Sequence, residues 1–232
     1  MKSAIVKLEG CASSWRGFSL PHVMARQMST ATSRSTPNAP MAVDMRSDTV
    51  TRPTPGMLAA MVAAPVGDDV MSEDATVNKL EASLAERFGK EAGLFLPTGT
   101  MSNLSALMAH CDSRGSELIS GSRSHITLYE AGGCASLGGI HNRQVVEEAD
   151  GTMDLNDVAA AFRSDDQHFP VTKVVCLENS HNVCGGAPLP PAYVNAVGSL
   201  CRQNGIALHI DGARIFNAAV SPYFVYNSSS VK

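Results

Sequence analysis

Apolar positions along the chain fall into two kinds of pattern, and each predicts its own kind of element. Val77, Leu80, Leu84 and Phe88 recur at i, i+3, i+7 and i+11 and stop at Gly89, which predicts a helix whose stripe faces the core. Helical spacing also marks residues 57–61. Residues 101–110 carry Leu104, Leu107 and Met108 on one face, residues 155–162 read as a short helix, and residues 188–191 turn into a helix over 193–201. Short, largely apolar runs at 92–96, 173–177 (which starts at Lys173) and 206–210 (broken only by His209) predict strands. Runs of this kind suit strands buried on both faces. Strands and helices alternating with short connections make a βα series, hence an α/β fold with a mostly parallel sheet. Residues 44–55 read as a polar, proline-punctuated arm, and residues 67–74 as an acidic loop.

Two of the predicted strands end in polar residues. The run 206–210 stops at Asp211, followed by Gly212, Ala213 and Arg214, and the run 173–177 stops at Glu178-Asn-Ser-His-Asn182. In open α/β sheets ligands bind beyond the carboxyl ends of the strands. A carboxylate there, with a guanidinium three residues on, suits a ligand carrying a cation beside an anion; a strand end with a surface ion pair is the plainer alternative. The run 92–96 leads into Pro97-Thr98-Gly99-Thr100 and then a helix, an order that offers backbone N–H groups and hydroxyls to a phosphate. The same hydroxyls would also serve as helix caps. Ser124-His125 precedes Tyr129-Glu-Ala-Gly-Gly133, and a flat imidazole there could stack on a flat cofactor or be an ordinary structural histidine.

Composition narrows the function classes. Residues 1–43 carry Lys2, Lys7, Arg16, Arg26 and Arg34 against Glu9 alone, leaving 13 basic and 21 acidic residues in 44–232, a net of −8 against −4 for the whole chain. An acidic body without a Lys/Arg cluster argues against nucleic acid as a partner. No apolar run reaches the length of a membrane span. The basic, Ser/Thr-rich residues 1–42 look like a transit segment for mitochondria, with a disordered cytoplasmic tail as the alternative. Six cysteines without C-x-x-C spacing predict reduced, mostly buried thiols, and Cys176, His181 and Cys184 are too few for a metal site.

The ordered motifs resemble one family: the low-specificity L-threonine aldolases, pyridoxal 5'-phosphate lyases of fold type I. The matching stretches are Arg46-Ser-Asp-Thr-Val-Thr-Arg-Pro-Thr-Pro, Val66-Gly-Asp-Asp-Val, Pro97-Thr-Gly-Thr, His125 with Tyr129-Glu-Ala-Gly-Gly, Asp165-Asp-Gln-His-Phe, Leu177-Glu-Asn-Ser-His-Asn and Leu208-His-Ile-Asp-Gly-Ala-Arg-Ile-Phe-Asn-Ala-Ala. The resemblance implies the large domain of the aspartate aminotransferase type over residues 43–220, a homo-oligomer, and cleavage of L-threonine or L-allo-threonine to glycine and acetaldehyde. It implies that Thr98, Gly99 and Thr100 hold the phosphate, that His125 stacks on the pyridine ring, and that Asp211 pairs with the ring nitrogen. Arg214 would meet the ring oxygen or the substrate carboxylate, Ser47 would be a second contact to that carboxylate, and His168 would sit near the substrate hydroxyl. His125 and His168 are both candidate bases. A β-eliminating lyase or a cysteine desulfurase would share the strand-end Asp but not the Arg46 arm.

The sequence departs from the resemblance after Val220. Residues 221–232 form a divergent tail, and the family's Schiff-base lysine, in Ser-Lys-Gly-Leu-Gly, has no counterpart among the six lysines. The expectation is a C-terminally truncated form with negligible threonine cleavage. The alternative to a lyase is then a non-catalytic regulatory partner of a full-length subunit.

Overall fold

A computed structural model describes residues 43–221; the transit-like segment and the tail from residue 222 lie outside them. The chain divides into two compact units, residues Met1–Ala63 and Ala64–Lys232. The described part of the first holds a 3-10 helix, Asp48–Val50, capped by the Ser47 hydroxyl accepting from the Thr49 N–H at 3.3 Å, and helix α1, Pro55–Ala63.

The second unit contains a four-stranded, wholly parallel sheet in the order β2-β1-β3-β4, with β1 Ser116–Gly121, β2 His141–Val145, β3 Val171–Glu178 and β4 Ala207–Asp211. Helices cover both faces, as a parallel sheet requires. On one face Leu118, Val174 and Cys176 pack with Leu107 of helix α3 (Gly99–His110) and with Ile126 and Cys134 of the short helices α4 (His125–Leu128) and α5 (Gly133–Ser136). On the other, Ile119, Val175 and Leu177 pack with Val158 and Ala161 of α6 (Leu155–Ala161) and with Val197 and Cys201 of α7 (Pro191–Gln203). The alternation of Leu118 and Ile119 between faces is the two-residue period of a strand. Helix α8, Ile215–Ala219, follows β4. Cys111, Cys134, Cys176, Cys184 and Cys201 are free thiols and buried. Among the described residues no helix is long and apolar enough to cross a membrane.

Three expectations fail in informative ways. Residues 92–96 form no strand: this stretch finds no strand to pair with, and the Phe95 N–H bonds to the Glu81 carboxylate at 2.6 Å instead. Helix α2, Ala75–Phe88, has the predicted bounds, with Asp74 as its N-cap and Gly89 left-handed at φ 59°, but its stripe is not core. Leu80, Leu84 and Phe88 are each more than a third exposed. Periodicity shows that a face wants covering; it does not supply the cover. Strands β1 and β2 had no counterpart in the hydrophobic pattern. β1 is buried along its whole length yet carries Glu117 and Ser120 inside. Glu117 accepts from His141, Arg163 and Thr172, while Ser120 donates to Asn142, so polar residues occupy positions that would ordinarily read as apolar.

Candidate active site

Because every strand is parallel, all four carboxyl ends lie on one edge of the sheet, and the loops leaving β1, β3 and β4 converge there. Asp211 is the last residue of β4 and is buried; its Oδ1 accepts from the Ala213 N–H at 3.1 Å. Its Oδ2 accepts from Asn103 Nδ2 of α3 at 2.9 Å, which ties the start of α3 to the end of β4. The same Nδ2 donates to Glu130 Oε1 at 2.8 Å, and that oxygen also lies 2.9 Å from His125 Nδ1. His125, Asn103, Glu130 and Asp211 are thus one hydrogen-bonded array. A carboxylate only accepts, so His125 carries a proton on Nδ1. The His125 side chain is 37% exposed and that of Glu130 5%, so the pair has one open end. The Tyr129 ring lies 5.6 Å from the His125 ring, tilted by 44°.

The amino-terminus of α3 is capped by Thr98, whose Oγ1 accepts from the Met101 N–H at 3.1 Å. The first helical bond runs from the Ser102 N–H to the Thr98 carbonyl, so the Gly99 and Thr100 N–H groups precede it. Nothing lies within 4 Å of where a Cβ on Gly99 would stand. Twelve aligned peptides place a partial positive charge there.

Two further buried carboxylates hold the loop that carries His125. Glu178, the last residue of β3, accepts from the His125 N–H at 2.6 Å and the Asn182 N–H at 2.9 Å. Glu147, beyond β2, accepts from the Arg123 N–H at 2.5 Å and from His181 Nε2 at 2.7 Å. His181 is 1% exposed, and its Nδ1 accepts from the Cys184 N–H, so its proton sits on Nε2. It belongs to this clamp and not to a cysteine–histidine metal site. Glu178 and His181 were visible as polar strand-end residues; Asn103, Glu130 and Glu147 were not singled out.

The residues expected together are only partly brought together. Thr98, Gly99 and Thr100 stand on the helix that reaches Asp211, and His125 is joined to Asp211 through Glu130 and Asn103. Arg214 follows β4 as the N-cap of α8 and is half-buried. His168 is placed elsewhere. It lies in the loop entering β3, at the opposite edge of the sheet, 74% exposed and bonded through Nδ1 to Asp166 at 2.7 Å. The next residue, Phe169, lies under Arg163 at 5.0 Å to its ring centroid, and Arg163 in turn bonds Glu117 of β1 and Thr172 of β3. Within one chain His168 therefore does not stand beside Asp211, because a parallel strand separates its two ends by its own length. Ser47 belongs to the other compact unit, where its hydroxyl caps the 3-10 helix.

His125, Glu130 and Asp211 offer ligand atoms within 4.8 Å of one another. The Asn103 amide hydrogens already point between the two carboxylates, where a cation would have to sit. The array is a hydrogen-bond junction, not a metal cage.

Comparison with known proteins agrees with this geometry. The family model described as beta-eliminating lyase matches residues 44–231. The chain is 52% identical over 179 residues to the low specificity L-threonine aldolase of Escherichia coli (strain K12), covering 77% of this chain and 53% of that protein. It is 50% identical over 181 residues to low-specificity L-threonine aldolase 1 of Arabidopsis thaliana, covering 77% and 51%. A solved structure from Exiguobacterium sp. 255-15, assigned as an aromatic amino acid beta-eliminating lyase/threonine aldolase, superposes with a TM-score of 0.58 at 25% identity, covering 75% of this chain and 47% of that one. The chain spans about half the length of the curated relatives it matches. A parallel sheet with this carboxyl-edge array, matched by the family model over most of its length, places the chain in the beta-eliminating lyase family.

Proposed function

We propose that the chain is the cofactor-holding part of an L-threonine aldolase, acting on L-threonine or L-allo-threonine to give glycine and acetaldehyde. The observation that carries this is the Asn103-bridged array, which seats a carboxylate, a proton-accepting imidazole and a helix amino-terminus at one sheet edge.

The donor set fits pyridoxal 5'-phosphate. Asp211 and Glu130 are buried, and the partners given above are amide N–H groups and one imidazole. A buried carboxylate at the strand end suits a protonated ring nitrogen, which would give it a charged partner. Thr98, Gly99 and Thr100 would take the phosphate at the α3 terminus. When bound, the cofactor supplies an electron sink for cleavage of the Cα–Cβ bond.

The protein's own groups do the rest. Asp211 would hold the ring nitrogen protonated, since a carboxylate beside that atom favours the pyridinium. His125 Nε2 accepts the proton of the substrate's β-hydroxyl, and Glu130, bonded to Nδ1, stabilises the imidazolium that results. Arg214, three residues after Asp211, would meet an anionic oxygen of cofactor or substrate. His125 is chosen over His168 because it alone of the two stands in the array.

The test is titration of the chain with pyridoxal 5'-phosphate and with pyridoxal, followed by acetaldehyde release from L-threonine coupled to NADH oxidation. Expected are saturable binding that requires the phosphate and, because none of the six lysines matches the family's Schiff-base motif, acetaldehyde formation only slightly above the rate with cofactor alone, the excess disappearing in Asp211→Asn. Equal binding of pyridoxal and its phosphate would remove the α3 terminus from its role. Acetaldehyde release no faster than the cofactor's own, or unaltered by Asp211→Asn, would defeat the catalytic assignment.

A further inference from the structure

Asn103 is the junction of the array, and its side chain is buried. One amide makes three hydrogen bonds: Nδ2 to Glu130 Oε1 at 2.8 Å and to Asp211 Oδ2 at 2.9 Å, and Oδ1 to His209 Nε2 at 3.0 Å. Both amide hydrogens are committed to carboxylates. The amide cannot turn over without setting its oxygen against two other acceptors. Its oxygen in turn needs a donor, and His209 is that donor. His209 lies two residues before Asp211 on β4, so both side chains leave the strand on the same face. Burial pushes the His209 pKa below its ordinary 6.5, with His110 acting in the same direction and Asp211 against it. Near pH 7 the ring is therefore neutral, and its one hydrogen must sit on Nε2 to satisfy the Asn103 carbonyl.

We propose that His209 and Asn103 are positioning residues for the cofactor seat: the His209 Nε2–H fixes the direction of the Asn103 amide, and that amide holds the Asp211 and Glu130 carboxylates in place for the ring nitrogen and for His125. The inference deepens the pyridoxal phosphate reading above and rests on it. The two carboxylates offer oxygens within 4.8 Å of one another, and like charges that close separate unless something between them is positive. The amide hydrogens are that something. If Asn103 lost the bond from His209, its carbonyl would have no partner in a buried site, and the flipped amide would turn an acceptor towards each carboxylate. Asp211 would then present its oxygens to the ring nitrogen from a shifted position. Neither His209 nor Asn103 touches the reacting atoms; each acts through Asp211 and Glu130.

Two substitutions separate positioning from bulk stability. His209→Leu removes the donor while keeping an apolar side chain on β4. His209→Gln keeps an N–H at about the reach of Nε2. Expected is a pyridoxal 5'-phosphate Kd raised about tenfold in His209→Leu, the size of one lost hydrogen bond, and restored to within about threefold of the parent in His209→Gln. Urea midpoints and far-UV spectra of both variants accompany the titrations, because a merely structural role would weaken binding in step with stability and without rescue. Long-range 1H–15N spectra of the cofactor-free parent give the tautomer directly, and a His209 ring protonated on Nε2 is expected. Binding by the parent with a ring protonated on Nδ1, undiminished affinity in His209→Leu, or a Gln variant as weak as the Leu variant would each overturn the positioning role alone. A parent chain that binds no pyridoxal 5'-phosphate would instead defeat the cofactor reading itself, and the seat with it.

Discussion

Gly121→Ala should be among the most damaging single-methyl changes in this protein. Gly121 is the last residue of β1, and a Cβ built on it would stand 1.7 Å from Glu147 Oε1 and 2.0 Å from Glu147 Cδ. The Glu147 carboxylate has to leave. It is 3% exposed and holds both the Arg123 N–H and the His181 Nε2–H. Displacing it forfeits two charge-assisted bonds at roughly 1.5–3 kcal/mol each and leaves His181 buried without an acceptor. Against this stands a gain of about 0.5–1 kcal/mol from replacing glycine within a strand. The net is a loss of about 2–5 kcal/mol, a large part of a typical domain's stability.

A double-mutant cycle with Glu147→Ala isolates the cause. If the methyl acts by ejecting Glu147, then Glu147→Ala has already removed what Gly121→Ala removes. In that background the second substitution should cost less than about 1 kcal/mol, giving a coupling of about 2–4 kcal/mol. Urea unfolding followed by circular dichroism reads this as a midpoint shift of about 1–4 M between backgrounds, for slopes of about 1–2 kcal/mol per M. An equal cost of Gly121→Ala in both backgrounds would refute the placement of Glu147 over the end of β1.

Other consequences are simpler to state. The depressed pKa of His209 means that the unfolded chain binds a proton at a pH where the folded chain does not, so stability should be whole above about pH 6.5 and fall as the pH drops below it. His209→Gln should lose less stability than the parent between pH 7.5 and 5.5, and equal losses would remove His209 as a source. Leu118→Ala, in the centre of β1 and fully buried, should cost about 2–5 kcal/mol in urea unfolding, whereas Val62→Ala on exposed α1 should cost under about 0.5 kcal/mol. Burial raises the Cys111 thiol to about 11 and pushes Cys176 up as well, so iodoacetamide at pH 8 should alkylate both far more slowly in the native chain than in urea; rapid native labelling of Cys176 would contradict its place in the core.

The class of fold was legible because its signals are local. A helix stopped by Gly89, a helix entered through Thr98, and runs ending at Glu178 and Asp211 all depend on residues close in sequence. Asp211 could be suspected because an apolar run ended in a carboxylate. The rest depended on contacts between distant residues. Asn103 and Asp211 are 108 positions apart, and Glu117 meets Arg163 across 46. No spacing rule connects such pairs. His168 shows the converse: a motif resemblance assigns a role, but the direction of β3 decides which edge its loop occupies, and that direction follows only from the pairing of β3 with β1 and β4.

Buried acids do not mark a site by themselves, and the two edges of this sheet show why. Glu117, at the amino-terminal edge, is 0% exposed, and Arg163 Nε approaches it at 3.2 Å, with His141 and Thr172 completing its contacts. Its charge is balanced within the fold, so it needs no ligand. Asp211 and Glu130, at the carboxyl edge, are nearly as deeply buried, yet the bonds described for them come from the Asn103 amide, the Ala213 N–H and the His125 ring. Amide hydrogens satisfy lone pairs but do not cancel charge. Two carboxylates buried beside amide donors are suited to a cationic ligand that completes the site. That difference in compensation, rather than burial or residue type, singles out the carboxyl edge as the place where a protonated ligand belongs. Converting Glu117 to Gln should therefore leave pyridoxal phosphate binding unchanged while lowering stability, and Asp211→Asn should do the reverse. A common response of the two variants in both measurements would mean that charge balance does not distinguish the edges.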